Sequence, residues 1–408
     1  MKKKILILVL VVALVASMAV AFAGCNKDKD RFTFGLICLH DENSTYDKNF
    51  IDAAKAVAEE LNVKLVIKTN IEESSACYDA AVDLVDQGAD VIFADSFGHE
   101  DHMIRAAKEF ADVQFAHATG TKAHTEELAN YHNAFASIYE GRYLAGVAAG
   151  MKLLEMYPDA TAYKMGYVGA FPYAEVVSGY TSFYLGAKSV MPAGKSITME
   201  VQYTSSWYDP DKEGTAALAL INNGAQLISQ HADSMGAPNV CEEKGIPNVT
   251  YNISTKATCE DTYLIGSKIN WAPYFKYLIE KTQKGEAVEK DWTGTLTNDA
   301  VQVLEFGAGV SDAIKNAVAE AKAEILSGER KVFDTATFTV TKTDSLNTAA
   351  TVDATGKLTA YQADVHTDPN FQIIPDTQVV ENGIFMESKF RSAPYFDVRI
   401  DGITEINN

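Results

Sequence analysis

The sequence predicts an α/β protein built from two doubly wound parallel-sheet lobes joined by a hinge. Three observations carry this expectation. From residue 32 to about 335, short apolar runs alternate with amphipathic segments, the texture of strands covered on both faces by crossover helices. The alternation falls into two sets, 32–135 and 140–252, each long enough to hold its own core. At 408 residues the chain is also too long for one compact core.

Taken in order, Phe32 to Leu39 reads as a strand and Phe50 to Leu61, with apolar residues three and four apart, as a helix. Val63 to Lys68 is the next strand, and Cys77 to Asp86 is a helix closed by Gly88. Strand Asp90 to Ala94, helix Ile104 to Phe110 and strand Val113 to His117 complete the first set. A helix over about Glu140 to Glu155 opens the second. Strand Lys164–Gly169, helix Glu175–Ser189, strand Ile197–Tyr203 and helix Lys212–Asn222 follow. Strand Leu227–Gln230, helix Pro238–Lys244 and strand Asn248–Tyr251 then close that set. Strand Tyr263–Lys268 and helix Ala272–Gln283 read as a return to the first lobe, strand Ala300–Glu305 and helix Asp312–Leu326 as a crossing back. From about Val332 the texture becomes threonine-rich, as in Ala336 to Lys342, which suits strands and loops. The expected organisation is therefore a leader over 1–24, a linker over 25–31, a first lobe over 32–135 plus 255–298, a second lobe over 136–254 plus 299–335, and a β-rich extension over 336–408.

Charge narrows the partners. With 35 Lys and Arg against 55 Asp and Glu, the net charge is −20, which excludes the basic footprint nucleic acid requires. The same acidity disfavours lying flat on anionic lipid. Hydrophobic residues make up 47% of the chain, enough for a folded body.

The leader gives an address. Lys2, Lys3 and Lys4 precede the apolar run Ile5 to Phe22, followed by Ala23, Gly24 and Cys25, the pattern of a secretory signal peptide. Cys25 directly after Ala-Gly resembles the lipobox of bacterial lipoproteins. That resemblance implies cleavage before Cys25, acylation there, and a body held at the extracytoplasmic face of the cell membrane by its lipid. An uncleaved membrane anchor is the competing reading, since the run is near the shortest spanning length. Beyond Cys25, an even number of cysteines (Cys38, Cys77, Cys241, Cys259) in an exported chain permits disulfides, and no spacing suits zinc.

In open α/β sheets ligands bind beyond the carboxyl ends of the strands, so the loops there hold the candidate site. They are His40 to Phe50, Asp95 to His99, His117 to Gly120, Ala170 to Tyr173, Thr204 to Pro210 and His231 to Ser234, with Asn252 and Asn270-Trp271. Rich in aromatics, carboxylates and amides and nearly devoid of Lys and Arg, they describe an aromatic-walled polar pocket for a flat heterocycle. They carry no phosphate-binding glycine motif. Trp207 is placed to stack on a ring, with Phe97 and Phe171 as further walls. Tyr46, Asp47 and Asp233 are candidates to grip hydroxyl or N–H groups, and Asn49, Ser96, Gln230 and Asn252 to read polar edges. Asp47 has an equally good reading as a charge at a helix start. Glu140 and Arg142 read as a structural pair near the crossover.

Several of these runs, in consistent order, resemble the basic membrane protein family, the substrate-binding lipoproteins of ABC importers. They are Phe93 to His99, Phe115 to Gly120, Ile138 to Gly146, Gly166 to Pro172, Trp207 to Pro210, Gln230 to Ser234 and Glu242 to Gly245. The resemblance, over about 32–335, implies the type I periplasmic-binding-protein fold, a purine nucleoside or nucleobase as ligand, and an ABC permease as partner. The first loop departs from the family's usual Asp followed by Ser-Phe-Asn, reading Tyr46-Asp47-Lys48-Asn49-Phe50 here.

Catalysis is not expected. Asp95, Ser96 and His99, and again His231, Asp233 and Ser234, supply acid, hydroxyl and imidazole, but neighbours in sequence do not make a triad and no nucleophile elbow is present. Metal capture would need His99, His102, His117, His124 or His132 to converge with carboxylates, and their spacing is not that of a zinc helix. No cofactor and no metal are expected. The alternative function is a receptor or sensor of the same fold for another solute, such as a sugar, an amide or a metal ion.

Overall fold

The computed structural model describes residues 31–341, 346–365 and 377–406. The leader and Cys25 lie outside them. Among the described residues, no helix is long and apolar enough to cross a membrane.

The first set forms β1 (Thr33–Ile37), α1 (Thr45–Glu60), β2 (Lys64–Lys68), α2 (Ser75–Asp86), β3 (Val91–Ala94), α3 (Glu100–Glu109), β4 (Gln114–Ala118), α4 (Ala123–Glu126) and β5 (Tyr131–Ala136). The second opens with α5 (Ile138–Met156), β6 (Ala162–Gly169), α6 (Ala174–Ser189), β7 (Ser196–Tyr203) and α7 (Pro210–Asn222). It continues through β8 (Ile228–His231), α8 (Gly236–Lys244), β9 (Asn248–Tyr251) and β10 (Tyr263–Ile269). Then come α9 (Ala272–Gln283), β11 (Asp291–Gly294), β12 (Val301–Val303) and α10 (Asp312–Ser327).

Two sheets result. One has the order β11-β5-β4-β3-β1-β2 and is parallel throughout. The other runs β12-β10-β9-β8-β6-β7 and ends on β18 (Ile403–Ile406); only β12 is antiparallel. The chain thus passes between the sheets three times, after Ala136, after Ile269 and after Gly294. This corrects one expected boundary: Tyr263–Ile269 pairs with β9 in the second sheet, not with the first lobe. The return to the first sheet begins only at α9, which packs on α1.

Strand β5 went unpredicted because its sequence, Tyr-His-Asn-Ala-Phe-Ala, is polar where a buried strand should be apolar. Tertiary partners satisfy it. Asn133 donates to Glu100 at 3.2 Å and accepts from the Ala123 N–H at 2.8 Å, while His132 sits between Gln114 Oε1 and the Glu289 carbonyl. Helix α1 begins five residues ahead of Phe50 because Ser44 caps it. The Ser44 hydroxyl accepts the Asp47 N–H at 3.2 Å and donates to the Asp47 carboxylate at 2.6 Å.

In the second lobe α5 and α6 approach backbone to backbone. A Cβ on Gly146 would lie 2.0 Å from the Phe183 carbonyl oxygen, and one on Gly186 2.0 Å from that of Tyr143. Beyond α10, the extension forms β13 (Ala350–Val352), β14 (Leu358–Ala363) and β15 (Thr377–Gln378) as a small antiparallel sheet. A hairpin of β16 (Val380–Glu381) and β17 (Ile384–Phe385) precedes β18. Its apolar residues, Phe338, Val340, Phe385 and Phe396 among them, join the main core, and Phe396 stacks on Phe333 at 4.2 Å. Cys38, Cys77, Cys241 and Cys259 are buried free thiols.

Candidate functional site

The carboxyl ends of both sheets face each other across a cleft that the structure holds closed. The Thr45 N–H donates to the Asp233 carbonyl across it at 2.8 Å, and the rings of His40 and Tyr208 lie 5.5 Å apart. At the mouth Phe97, from the first lobe, stacks on Tyr173, from the second, at 5.7 Å and 27°. Behind them lies a small, largely enclosed cavity. Leu39, His40, Tyr46, Asp47, Ser96, Phe97 and Thr119 line it from one side, Glu175, Trp207, His231 and Asp233 from the other. Among the described residues, the lining contains no Lys and no Arg.

Each wall is fixed by local chemistry. Asp47 is held between its own helix cap and the loop, accepting from the His40 N–H at 2.8 Å and the Ser44 hydroxyl at 2.6 Å. Burial raises its pKa, but the bonds from His40 and Ser44 outweigh that, and it stays below the ordinary carboxylate value. The Tyr46 hydroxyl donates to the Asp95 carbonyl at 2.8 Å. Asp95 itself is fully buried, and burial followed by the nearby Asp47 charge pushes its carboxyl well up. Cys38, Asp47 and Asp95 bring thiol and carboxylate atoms within 4.8 Å of one another, with the Asp47 oxygens already engaged by donors.

Opposite, the Asp233 N–H donates to the Trp207 carbonyl at 2.8 Å, tying two loops together. Glu213, buried on α7, clamps the same two loops: its oxygens accept the Asp209 and Ser234 N–H groups, each at 3.1 Å. Burial pushes the Glu213 pKa up to about 7 against the pull of those bonds. Asp233 is raised by burial and then by Glu213, Asp47 and Glu175. Trp207 meets Phe171 at 5.2 Å and Tyr173 at 5.9 Å, so the aromatic wall is continuous to the mouth. His231 faces Glu175 at 3.4 Å and packs edge-on against Tyr251 at 4.6 Å; burial lowers its pKa and favours the neutral ring.

Six of the expected residues therefore come together on the cavity: Tyr46, Asp47, Ser96, Phe97, Trp207 and Asp233. Phe171 backs Trp207 and does not line it. The other three sit elsewhere. Asn49 donates to the Ile269 carbonyl at 2.7 Å and, with Asn252, lines a separate crevice beside β10. The Gln230 amide donates to the Ala232 and Ser234 carbonyls and shapes its own turn. The expected Glu140–Arg142 pair is also corrected. Glu140 accepts the Leu296 N–H at 2.9 Å, while Arg142, fully buried among Tyr167, Phe183 and Tyr251, reaches the Gln230 carbonyl at 3.0 Å.

Sequence reasoning passed over Leu39, His40, Thr119, Glu175 and His231 as contacts. All but Glu175 lie in or beside the strand-end loops with no pattern to single them out, and Glu175 reads as an ordinary first-turn helix acid. Thr119 has φ +61°, uncommon for a non-glycine residue and a strain that concentrates at functional sites.

A two-lobed α/β body closing on a polar, aromatic-walled cavity defines a solute-binding protein. The chain belongs to the Bmp family, PnrA-like substrate-binding proteins of ABC transporters, which it matches over residues 39–335; it is thus a small-molecule-binding component of an ABC transporter. It is 33% identical over 306 residues to the purine-binding protein of Brucella abortus (strain 2308), covering 74% of this chain and 79% of that one. TsgA13 of Haloferax volcanii, assigned as an ABC transporter glucose-binding protein, is 33% identical over 60% of this chain and 59% of its own. The ABC transporter nucleoside-binding protein BmpA of Lactococcus lactis subsp. cremoris is 25% identical over 81% of this chain and 98% of its own. Among solved structures, an ABC transporter solute-binding protein from Conexibacter woesei superposes with a TM-score of 0.60 at 20% identity, covering 74% of this chain and 98% of that one. The fold is that of the periplasmic binding proteins.

Proposed function

We propose that the chain captures a purine, as nucleobase or nucleoside, between its lobes and delivers it to an ABC importer, while a lipid on Cys25 holds it at the outer face of the membrane. The observation that carries this is the lining itself. Trp207 and Phe97 offer flat apolar faces to a ring, and Glu175 and Asp233 offer acceptors to ring N–H or ribose hydroxyl groups. The lack of any Lys or Arg there speaks against a phosphorylated ligand. The Brucella and Lactococcus relatives, by their names, point the same way. The ligand drives closure by contacting both lobes, because only contacts made in the closed state shift the population toward it. Nothing in this role calls for bond-making chemistry, so the chain is read as a receptor and not an enzyme.

A second reading, a sugar receptor, has the name of the Haloferax relative in its favour, and carboxylates beside an aromatic face suit a polyol too. Thermal-shift and calorimetric titration of adenine, hypoxanthine, adenosine, inosine and glucose separates the two. Stabilisation by a purine alone is the expected result. Stabilisation by glucose with no response to any purine overturns the reading.

A further inference from the structure

The extension is fastened to both lobes, and we propose that its segment 391–397 is a strap across the cleft mouth that restrains opening and slows ligand exchange. On the second lobe it is anchored through β18, which extends the sheet beside β7, and through Glu405, whose carboxylate accepts from the Tyr180 and Tyr203 hydroxyls, each at 2.7 Å. On the first lobe the anchor is centred on Asp291, whose charge also attracts the Arg391 guanidinium of the strap. Asp291, on the edge strand β11, accepts the Ser392 N–H at 2.8 Å, and its carboxylate is only 5% exposed. His124, also of the first lobe, faces the same oxygen at 3.4 Å.

Between these anchors the strap is stiff. The Arg391 guanidinium donates to the carbonyls of Asp364, Ala393 and Pro394 at 3.0–3.1 Å, which fixes the turn around Pro394. That turn stands over the mouth. With Asp397 it walls an open groove beside Phe97, Tyr173 and Trp207. Phe97, Thr119, Glu175 and Trp207 line both this space and the inner cavity, so a ligand leaving through the mouth passes under the strap. Swinging the lobes apart separates Asp291 from the β18 anchorage, and the Ser392–Asp291 bond must break or the segment must stretch.

Asp291→Ala removes the anchor, and Asp291→Asn keeps an acceptor for the Ser392 N–H while removing only the charge that attracts Arg391, and serves as the conservative control. Two readouts apply to the full folded chain. The first needs no ligand: the radius of gyration by small-angle X-ray scattering. Asp291→Ala is expected to be more open than wild type, with Asp291→Asn close to wild type. The second is adenosine dissociation followed by Trp fluorescence, which rests on the purine reading; it is expected to be about tenfold faster in Asp291→Ala, the effect of losing one hydrogen bond to a charged group. Circular dichroism and melting temperature confirm that the variants fold. If Asp291→Ala folds with the wild-type radius of gyration, the strap is refuted, whether or not adenosine binds. If adenosine fails to bind any form while the scattering difference stands, the ligand assignment fails and the strap does not.

Discussion

Replacing Trp207 with Ala tests the ligand wall most directly, because the structure separates what the ring does for binding from what it does for folding. Trp207 pairs with Phe171 and Tyr173, neighbours within its own lobe that lobe closure does not separate. Those contacts, at about 0.5–1.5 kcal/mol each, cancel from the affinity and emerge as a melting temperature a few degrees lower. The Asp233 N–H bonds to the Trp207 backbone carbonyl, so truncation leaves the two loops joined and Asp233 in place. What remains in the affinity is the ring's own stacking on the ligand, ~1–3 kcal/mol. At about 1.4 kcal/mol per tenfold, the dissociation constant for adenosine should rise between about fivefold and a hundredfold. Trp207→Phe, which restores a smaller flat face, should recover much of it. Isothermal titration calorimetry reads the constants and differential scanning fluorimetry the folding term. An unchanged dissociation constant in Trp207→Ala, alongside a lowered melting temperature, would show that the ring only packs its neighbours.

Three further outcomes follow from other features. Glu213 titrates at about 7 when folded against about 4.5 when unfolded, so between those values the folded state holds a proton the unfolded state has released. Stability from this group is therefore full below about pH 4.5 and falls as pH rises toward 7, by on the order of 3 kcal/mol. Glu213→Gln should lack that component, and urea titrations at pH 5 and pH 8 should show the variant gaining on wild type with pH; a constant gap would contradict it. Gly186→Ala drives a methyl group to 2.0 Å from the Tyr143 carbonyl oxygen, and, as neither backbone can yield without separating α5 from α6, it should cost about 3 kcal/mol in denaturant unfolding. Cys25→Ser should move the protein from the membrane fraction to the soluble extracytoplasmic fraction, and persistence in the membrane would dismiss the lipid.

Much of the fold was legible because apolar strands such as Val91–Ala94 and amphipathic helices such as Ala272–Gln283 set their own periodicity. Membership of a sheet was not. Tyr263–Ile269 looks the same whichever sheet it joins, and only its pairing with β9 decides. In the site, Trp207 and Asp233 were readable since an aromatic and an acid in polar strand-end loops have few other uses. Asn49, Gln230 and Asn252 carry the same signature, yet at Asn49 and Gln230 the amides are consumed by nearby carbonyls. A sequence shows that an amide needs partners; it does not show that the backbone supplies them. His231 and Glu175 were missed for the converse reason, since each acquires meaning only when β8 and α6 bring them to 3.4 Å.

The three passages between sheets bear on how the chain can be made. The first sheet is finished by β11, and the bond from His132 to the Glu289 carbonyl spans 157 residues. No N-terminal stretch ending before β11 contains a whole lobe, so a chain made from its N-terminus has no complete lobe to fold until most of it is available. Such long-range closure is slow, so each lobe is completed late. The interleaving that brings both lobes onto one cavity thereby also couples the completion of each lobe to the other.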